Sequence, residues 1–584
     1  MKRTSLILLL SLAIFSTSDA KSTENKSKLF LVGGGLKTCT SMASKNCNTN
    51  SLANNEELKL VKISAHYQIN KKTLALVKSS WPKSFAQDKL AQIINALSQI
   101  IESEKKQLLS KSQLNSLLKK YDNKGIISKL NDAEYYLLLD LIEQPVMSRD
   151  NTSRLKEHVD LINSTNSFST EIYHDFINLA KRIRGKDSAN ILVITASARD
   201  PFEAADFYQS VFTQAGGNTQ WLPLDATLNS LLQQQGDREK ICETLSETRL
   251  KMQGSINREY VYPDLTKLQY QACLTPQTIY QAITKADGIF INGGDQSLTK
   301  KAFINADGSD GKALQLIKEK LANNSLIIGG TSAGTAVMSG GTFNNEPIVM
   351  ITNGQSSTAL VRGAKKDVLP QEGCQKSNSC TQDVLNDDLT YNSTGGLGLF
   401  NWGIMDTHFS ERGRQGRLAK LVLDTNTRFA FGVDEATALI VSNINSEQPK
   451  FEVIGQSGVF IVENNKNTDN KKSVITHYIS RDDRGSLENN RLTFNFAPWK
   501  SKVKENADLP KEISNIFEGE RYLQTTELLC RTINESVHAQ SQWKDKTVMI
   551  EITKQTNSLD RFGILTENGS AKGYCSYQNY LLSF

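Results

Sequence analysis

The sequence predicts an α/β protein built on a mostly parallel sheet with helices on both faces. Short apolar runs typical of buried strands recur at residues 191–196, 288–292 and 326–328. Segments of helical character lie between them, and Thr275-Pro276 has the cap-then-proline pattern that opens a helix. Strand–helix alternation gives parallel strands whose carboxyl ends form the usual ligand site. An all-helical insertion and a β-rich C-terminal extension complete the predicted architecture.

The start of the 584-residue chain has the features of a secretion signal. Lys2 and Arg3 precede an apolar run over residues 6–15, and Ser18 and Ala20 are small residues of the kind that signal peptidase needs. The run is too short to span a bilayer, and no later run approaches about 18 continuous apolar residues. Residues 1–20 are therefore predicted to be the cleaved signal peptide of a secreted or periplasmic protein without a membrane span.

Cysteine usage and charge bound the class of protein. An even number of cysteines in an exported chain favours disulfides, although the sequence leaves their pairing open. The cysteines lie as sequence neighbours, namely Cys39 and Cys47, Cys242 and Cys273, Cys374 and Cys380, and Cys530 and Cys575. No Cys/His cluster has zinc spacing, so we expect no metal and no cofactor. The net charge of +6 is small and the basic residues are scattered, so we expect no nucleic-acid partner.

The first piece of the predicted catalytic domain lies at residues 28–48. Residues 28–32 have the pattern of a buried strand, and Gly33-Gly34-Gly35 follows. Three glycines would suit a phosphate loop, but their spacing matches neither the dinucleotide nor the nucleoside-triphosphate pattern. We predict a tight turn at the sheet's edge instead.

Residues 49–187 differ in composition and predict the helical insertion. Apolar residues between positions 90 and 101 follow the spacing of an amphipathic helix. Asn131 and Glu134 have the spacing of a capping box. No catalytic motif occurs in this range.

Residues 188–460 carry the strand–helix alternation and are predicted to be the catalytic domain. Residues 461–584 are predicted to be the C-terminal extension. Alternating runs at residues 450–454, 458–462 and 491–496 are typical of strands.

Ser332 is the candidate nucleophile. Gly330-Thr-Ser-Ala-Gly334 follows the strand at 326–328 and precedes a small-residue helical segment. Glycines on both sides let a serine take a strained turn that exposes its hydroxyl at the end of a strand. The helix start and the N–H after the serine can then face a developing oxyanion.

The turn Asn292-Gly-Gly-Asp-Gln296 comes directly after another predicted strand. Backbone N–H groups of such a turn can complete an oxyanion hole, and the Gln296 amide can bind a substrate carbonyl or carboxylate. The alternative is a turn in which Asp295 caps a helix.

His408 is the candidate base, because a serine nucleophile needs a group that removes its proton. Arg412, Arg414 and Arg417 follow it closely. Three guanidiniums repel one another unless acidic groups or an anionic ligand lie near them. This segment therefore indicates carboxylate recognition, with a solvated basic turn as the alternative.

Glu435 is the candidate third member, since a carboxylate can orient the histidine and stabilise its charged form. Asp434 and Glu435 can equally be the polar residues of a β-turn. The order Ser332, His408, Glu435 differs from the Ser–acid–His order of α/β-hydrolases and favours another serine hydrolase architecture.

Together, these motifs carry a family resemblance. Residues 293–296, 330–334, 406–418 and 432–439 resemble, in order, the motif set of cyanophycinase, from a serine peptidase family that also includes aspartyl dipeptidase. The resemblance covers roughly residues 28–48 and 188–460. It implies a class I glutamine-amidotransferase-like, flavodoxin-like fold.

The resemblance also implies roles. Ser332 would be the nucleophile, His408 the base and Glu435 the third triad member. The oxyanion N–H groups would come from Gly294 and Ala333. The residues implied for substrate binding are Gln296, Asp406, Arg412, Arg414 and Arg417.

By this resemblance the chain is a serine-type exopeptidase that cleaves β-aspartyl–arginine bonds of cyanophycin through an acyl-enzyme and releases β-Asp-Arg dipeptides. Two alternatives stay open: a peptidase of the same fold for isoaspartyl or α-aspartyl peptides, and a non-catalytic binding protein on this scaffold. A homodimer also stays open.

Overall fold

The computed structural model describes most of the chain. The described residues are 26–48, 66–104, 108–122, 125–148, 150, 152–370, 380–381, 383–464, 472–510, 512–567 and 570–584. The predicted signal peptide at residues 1–20 lies outside the described residues, as does Cys374.

The described strands include two very long ones near the C-terminus. In chain order they are β1 Lys28–Val32, β2 Cys39–Thr40, β3 His66–Tyr67, β4 Glu143–Gln144, β5 Val159–Asp160, β6 Asn190–Ile194, β7 Asn218–Trp221, β8 Gly288–Ile291, β9 Ile327–Thr331, β10 Thr342–Phe343, β11 Glu346–Pro347, β12 Met350–Asn353, β13 Ala364–Lys366, β14 Leu389–Asn392, β15 Ile404–Thr407, β16 Phe429–Val433, β17 Thr437–Ser442, β18 Lys450–Gly455, β19 Gly458–Glu463, β20 Ser473–Ser480, β21 Arg484–Glu488, β22 Arg491–Asn495, β23 Ser536–Trp543, β24 Lys546–Glu567 and β25 Ser570–Ser583.

The described helices are concentrated in the first three quarters of the chain. They are α1 Lys71–Ser80, α2 Gln87–Ser103, α3 Lys111–Tyr121, α4 Asp132–Ile142, α5 Ser167–Arg184, α6 Ala205–Gln214, α7 Ala226–Leu232, α8 Arg238–Glu243, α9 Leu245–Gln253, α10 Arg258–Val261, α11 Pro263–Leu274, α12 Gln277–Lys285, α13 Gln296–Phe303, α14 Lys312–Ala322, α15 Ala333–Ala336, α16 Ser356–Arg362, α17 Gln415–Thr425 and α18 Arg521–Arg531. Short 3₁₀ turns occur at Ser44–Asn46, Ile127–Lys129 and Ser410–Arg412.

A nine-stranded sheet forms the centre, in the order β22-β21-β18-β17-β1-β9-β8-β6-β7. The neighbours from β1 to β7 pair in parallel, in agreement with the predicted α/β class. The strands from β17 to β22 pair antiparallel, so the sheet is mixed rather than mostly parallel as predicted. Short loops join β17 to β18 and β21 to β22, and such hairpin connections allow only antiparallel pairing.

Apolar layers cover both faces of this sheet. Phe30 and Leu31 are neighbours on β1 and point to opposite faces, as the strand period requires. On one face Phe30 packs against Phe176 of α5, with ring centroids 5.6 Å apart. On the other face Leu31 and Leu314 of α14 belong to one buried cluster. Helices on both faces leave the ends of the strands as the accessible part of the sheet.

Helices α1 to α4 form a separate apolar cluster within the predicted insertion 49–187. It is tied to the sheet region by Arg258, whose guanidinium lies 2.7 Å from both Glu143 and Asp200. Helix α5, although within the same predicted range, packs on the central sheet. The division into residues 49–187, 188–460 and 461–584 stays a prediction.

A second sheet has the order β15-β16-β19-β20-β25-β24-β23. Its C-terminal strands and α18 bury an apolar cluster together with α17, which begins just after the predicted base. The C-terminal residues are therefore packed against the chain segment that carries His408 and the arginines.

Three disulfides are present in the described residues: Cys39–Cys47, Cys242–Cys273 and Cys530–Cys575. Each joins sequence neighbours, and disulfides of this kind persist in oxidising compartments. None of the helices in the described part of the chain has the length and apolar character that crossing a bilayer requires.

Candidate active site

Ser332 lies in a sharp turn between β9 and α15. Its backbone has φ 53° and ψ −118°, a region that non-glycine residues rarely adopt. A Cβ on Gly330 would lie 2.9 Å from the Thr335 nitrogen, and one on Gly334 would lie 2.7 Å from the Asn292 oxygen. Both positions therefore need glycine, and the strained turn holds the serine at the carboxyl end of the parallel strands.

The structure brings the three predicted catalytic side chains together. Nε2 of His408 is 2.8 Å from Oγ of Ser332, and Nδ1 of His408 is 2.6 Å from Oε1 of Glu435. His408 follows β15 and Glu435 follows β16, which are parallel neighbours in the second sheet. A charged Glu435 accepts a hydrogen bond from Nδ1–H, which leaves Nε2 free to accept the serine proton.

Glu435 is poised to carry the negative charge. The hydrogen bond from His408 lowers the pKa of Glu435 below its usual value, and the charges of His408, Arg412 and Lys37 act in the same direction. The carboxylate is therefore ionised at neutral pH and can stabilise a protonated imidazole.

The turn Gly33-Gly34-Gly35 follows β1, which lies inside the sheet between β17 and β9. A Cβ on Gly34 would lie 2.5 Å from Nε2 of His408, and one on Gly35 would lie 2.5 Å from Cδ of Glu435. The Gly33 carbonyl also accepts the N–H of His408 at 2.8 Å. The turn therefore makes room for the histidine and the glutamate.

Sequence reasoning missed this role. The signal that could have found it was the place of the glycines: directly after a buried strand that could pair in parallel with the strand before Ser332.

Gly294 and Ala333, whose N–H groups the resemblance implies for the oxyanion hole, lie in the turns that follow β8 and β9. Gly294 has φ +145°, and a Cβ on it would lie 2.7 Å from the Ser197 carbonyl carbon. The adjacent Gly293 packs against the serine, since its Cβ would lie 3.1 Å from Cβ of Ser332. Within the described residues, the N–H groups of Gly294 and Ala333 donate no hydrogen bond. Both are thus available to a negatively charged oxygen.

Comparison with known proteins gives a consistent result. The chain is 23% identical over 273 residues to the cyanophycinases of Nostoc sp. (strain PCC 7120) and Trichormus variabilis, which is 47% of this chain and 73% of each relative. It is 26% identical over 181 residues to the cyanophycinase of Geminocystis herdmanii, which is 31% of this chain and 51% of the relative. No family model matches the chain.

The chain resembles cyanophycinases over up to 47% of its length. These matches confirm the resemblance that the four motifs indicated.

The acidic and basic residues predicted for substrate binding in this cyanophycinase-like chain partly bind one another. Asp406 is 1% exposed, and its carboxylate accepts from Nε of Arg417 at 2.9 Å and from Nη2 at 2.6 Å. Burial alone would raise the pKa of Asp406, but the guanidiniums of Arg417 and Arg414 outweigh it and lower the pKa. Asp406 is thus a buried partner of Arg417 rather than a free carboxylate facing substrate.

Arg414 is less well neutralised. Its Nη1 donates to the Thr407 carbonyl at 2.5 Å and lies 3.4 Å from Asp406, which Arg417 already occupies. Burial and repulsion from Arg417 lower the pKa of Arg414 to about 9. The Arg414 guanidinium is largely buried and shares its carboxylate partner with Arg417, so it attracts a further anion.

Gln296 begins α13, and its side-chain nitrogen donates to the Ile351 carbonyl at 2.8 Å. The Gln296 amide nitrogen therefore holds the β12 segment. The side-chain oxygen of Gln296 can then accept a hydrogen bond from a donor group of the substrate.

A cavity of about 820 Å³ lies beside the arginines. Its wall is built from Arg412, Arg414 and Arg417, from residues 353–357 and 386–387, from Asp132 of α4, and from C-terminal residues 515, 517–519 and 541–542. Ser332 is not among these lining residues.

The C-terminal wall of the cavity is held firmly against the arginine segment. A Cβ on Gly413 would lie 2.5 Å from the Phe517 carbonyl carbon, and one on Gly416 would lie 3.0 Å from the Phe517 ring. No sequence motif indicates that residues beyond 500 reach this site.

Within the described residues, no group of three or more His, Cys, Asp or Glu side chains could hold a metal ion.

Proposed function

We propose that the chain is a secreted serine-type hydrolase that degrades cyanophycin through the triad Ser332, His408 and Glu435 and releases β-Asp-Arg dipeptides. The observation that carries this proposal is the continuous hydrogen-bonded path from Oγ of Ser332 through His408 to Glu435, at 2.8 and 2.6 Å. The similarity to three cyanophycinases supports the substrate class. The proposed fold is the class I glutamine-amidotransferase-like one.

In the first step, Oγ of Ser332 attacks the carbonyl carbon while His408 takes the serine proton. The N–H groups of Gly294 and Ala333 hold the negative oxygen. His408 then gives the proton to the departing amine, and the C–N bond breaks to leave an ester on Ser332. Water, deprotonated by the same histidine, hydrolyses the ester and restores the serine.

The product defines which bond is cleaved. Cyanophycin has an aspartate backbone with arginine linked to each side-chain carboxyl. A dipeptide that keeps arginine on its aspartyl side chain is released only when the amide between successive backbone aspartyl residues is hydrolysed. We therefore place the attacked carbonyl in the backbone. The β-aspartyl–arginine amide, which the resemblance implied as the cleaved bond, stays intact in the released dipeptide.

The cavity offers complementary charges for such a substrate. Arg412 is exposed and Arg414 is only partly neutralised, so both suit aspartyl carboxylates. Asp387 and Glu518 lie on the other walls of the cavity and suit guanidinium groups. A polymer that alternates carboxylate and guanidinium fits this arrangement better than an apolar peptide does.

The cavity also favours a second candidate, a peptidase for isoaspartyl or α-aspartyl peptides. Phe517 and its neighbours form part of the cavity wall together with the arginines. A short peptide with a free carboxylate can bind the same arginines as a chain end of cyanophycin can.

The test is dipeptide release from cyanophycin by the mature chain, compared with Ser332→Ala. Release of β-Asp-Arg that is absent in the variant supports both substrate and nucleophile. Labelling of Ser332 by a fluorophosphonate without release would favour the aspartyl peptidase, to be assayed with isoaspartyl and α-aspartyl dipeptides. Absence of both release and labelling would refute the hydrolase and leave a binding protein.

A further inference from the structure

Glu411 is a carboxyl group beside the triad that the mechanism above does not use. It lies in the 3₁₀ turn Ser410–Arg412, and its Oε1 accepts the backbone N–H of Glu435 at 3.0 Å. Its Oε2 is buried and has no hydrogen-bond partner among the described residues. Glu411 thus holds the backbone from which Glu435 reaches His408.

A second buried carboxyl, Asp434, precedes Glu435 in the chain and lies close to Glu411 in space. Asp434 is fully buried and accepts hydrogen bonds from the Ser410 N–H at 2.9 Å, the Tyr478 hydroxyl at 2.7 Å and the Ser457 hydroxyl at 3.1 Å. Three donors, two of them hydroxyl groups, stabilise a charged Asp434, whereas Glu411 accepts only from the backbone N–H groups of Glu435 and of its own residue. Of the two groups, Glu411 is therefore the one that keeps a proton.

The surrounding charges point the same way. Burial and the neighbouring Asp434 raise the pKa of Glu411 to about 8. Burial raises the pKa of Asp434 as well, against the effect of its three donors. Within the described residues no cation forms an ion pair with Glu411. The charged and titratable groups around the cluster are His408, Arg412, Arg414, Glu435, Tyr478, Glu527 and Lys572.

We propose that Glu411 is a positioning residue that stays uncharged in the working enzyme, so that it adds no negative charge to those of Glu435 and Asp434. This inference rests on the proposed function, because it assigns a role in placing the triad. An ionised Glu411 would add a further negative charge close to Asp434 and Glu435 in a region of low water access, where repulsion is strong.

The first test compares Glu411→Gln with Glu411→Ala. Glutamine has the shape of a protonated glutamate and can still accept the Glu435 N–H, whereas alanine leaves that N–H unpaired. Activity is read as the rate of Ser332 labelling by a fluorophosphonate and as kcat/KM on cyanophycin, between pH 6 and 9.5. The labelling readout works whatever the natural substrate is.

At pH 7 we expect Glu411→Gln to stay within about threefold of the wild type and Glu411→Ala to fall about tenfold. Above pH 8 the wild type should lose activity as Glu411 ionises, and Glu411→Gln should not show this loss.

The second test uses stability. An unfolded glutamate loses its proton near pH 4.3, whereas folded Glu411 keeps it to about pH 8. Its stabilising contribution is fully present below about pH 4.3 and is lost as pH rises through about 8. The fall in Tm between pH 5 and 8.5 should be about 2–4 °C smaller in Glu411→Gln than in the wild type. Glu247→Gln, an exposed glutamate on α9, should match the wild type.

Three outcomes would overturn the proposal. Glu411→Gln could lose as much activity as Glu411→Ala. The wild type and Glu411→Gln could respond identically to pH. Finally, Asp434→Asn rather than Glu411→Gln could abolish the loss of activity above pH 8. The titrating proton would then belong to Asp434 and not to Glu411. Failure of cyanophycin cleavage with intact, pH-dependent labelling would count against the proposed substrate but not against this role.

Discussion

Gly34→Ala should inactivate the enzyme although position 34 has no reactive side chain. A Cβ at this position would lie 2.5 Å from Nε2 of His408, whereas ordinary van der Waals contact needs about 3.5 Å. The imidazole must therefore move by about 1 Å. A displacement of this size between reacting groups costs about 10²-fold in rate. We expect kcat/KM on cyanophycin and the labelling rate of Ser332 to fall together by this factor.

The control separates displacement of the histidine from backbone strain. Gly34 has φ +110°, so alanine there also costs about 1–3 kcal/mol of stability. Gly236 has φ +126°, but the nearest atom to its Cβ would be 4.0 Å away. Gly236→Ala should show the strain as a lower Tm and keep its activity. A folded Gly34→Ala enzyme within threefold of wild-type activity would refute the view that the glycine turn makes room for His408.

Three further variants probe the site and the fold. Glu435→Gln should lower kcat by about 10³–10⁴-fold with little change in Tm, because the charge that orients and stabilises the imidazolium is lost; a drop under tenfold in steady-state assays would contradict this. Asp406→Ala should destabilise the fold by about 3–5 kcal/mol in urea titrations, because Arg417 would be buried without its partner. The lowered pKa of Asp406 means that its contribution is present above about pH 3.9 and is lost as pH falls, so the difference between variant and wild type should shrink in acid. Replacing Cys242 and Cys273 by serine should cost about 3–4 kcal/mol, since their bridge spans 31 residues, and an unchanged unfolding midpoint would argue against the entropic account.

Local patterns were enough for the parts of the molecule that local sequence controls. The glycines around Ser332 predicted a strand turning into a helix, and the structure has β9, the strained serine and α15 there. The capping-box spacing at Asn131 and Glu134 also appears as predicted at the start of α4. In both cases the residues that decide the conformation lie within about five positions of one another.

The arginine segment shows what the sequence pattern could not predict, namely which charged side chains are buried. Three guanidiniums close together indicated a need for negative charge, which the structure partly meets with Asp406. The family resemblance implied that Asp406 binds substrate, because the sequence could not show that Arg417 turns inward. Burial of a side chain depends on what packs around it, and here Phe517, a hundred positions after Arg417, packs against Gly413 and Gly416 of the same segment.

The sequence by itself determined the nucleophile turn, the parallel strands and the family resemblance, because each depends on neighbouring residues. Only the tertiary structure decided that the glycine turn after β1 makes room for the histidine, that C-terminal residues wall the cavity, and that Glu411 holds the backbone of Glu435. These contacts join residues from 24 to several hundred positions apart. Such pairs meet because the packed fold brings strand ends of the two sheets and the C-terminal residues together, which no local pattern specifies.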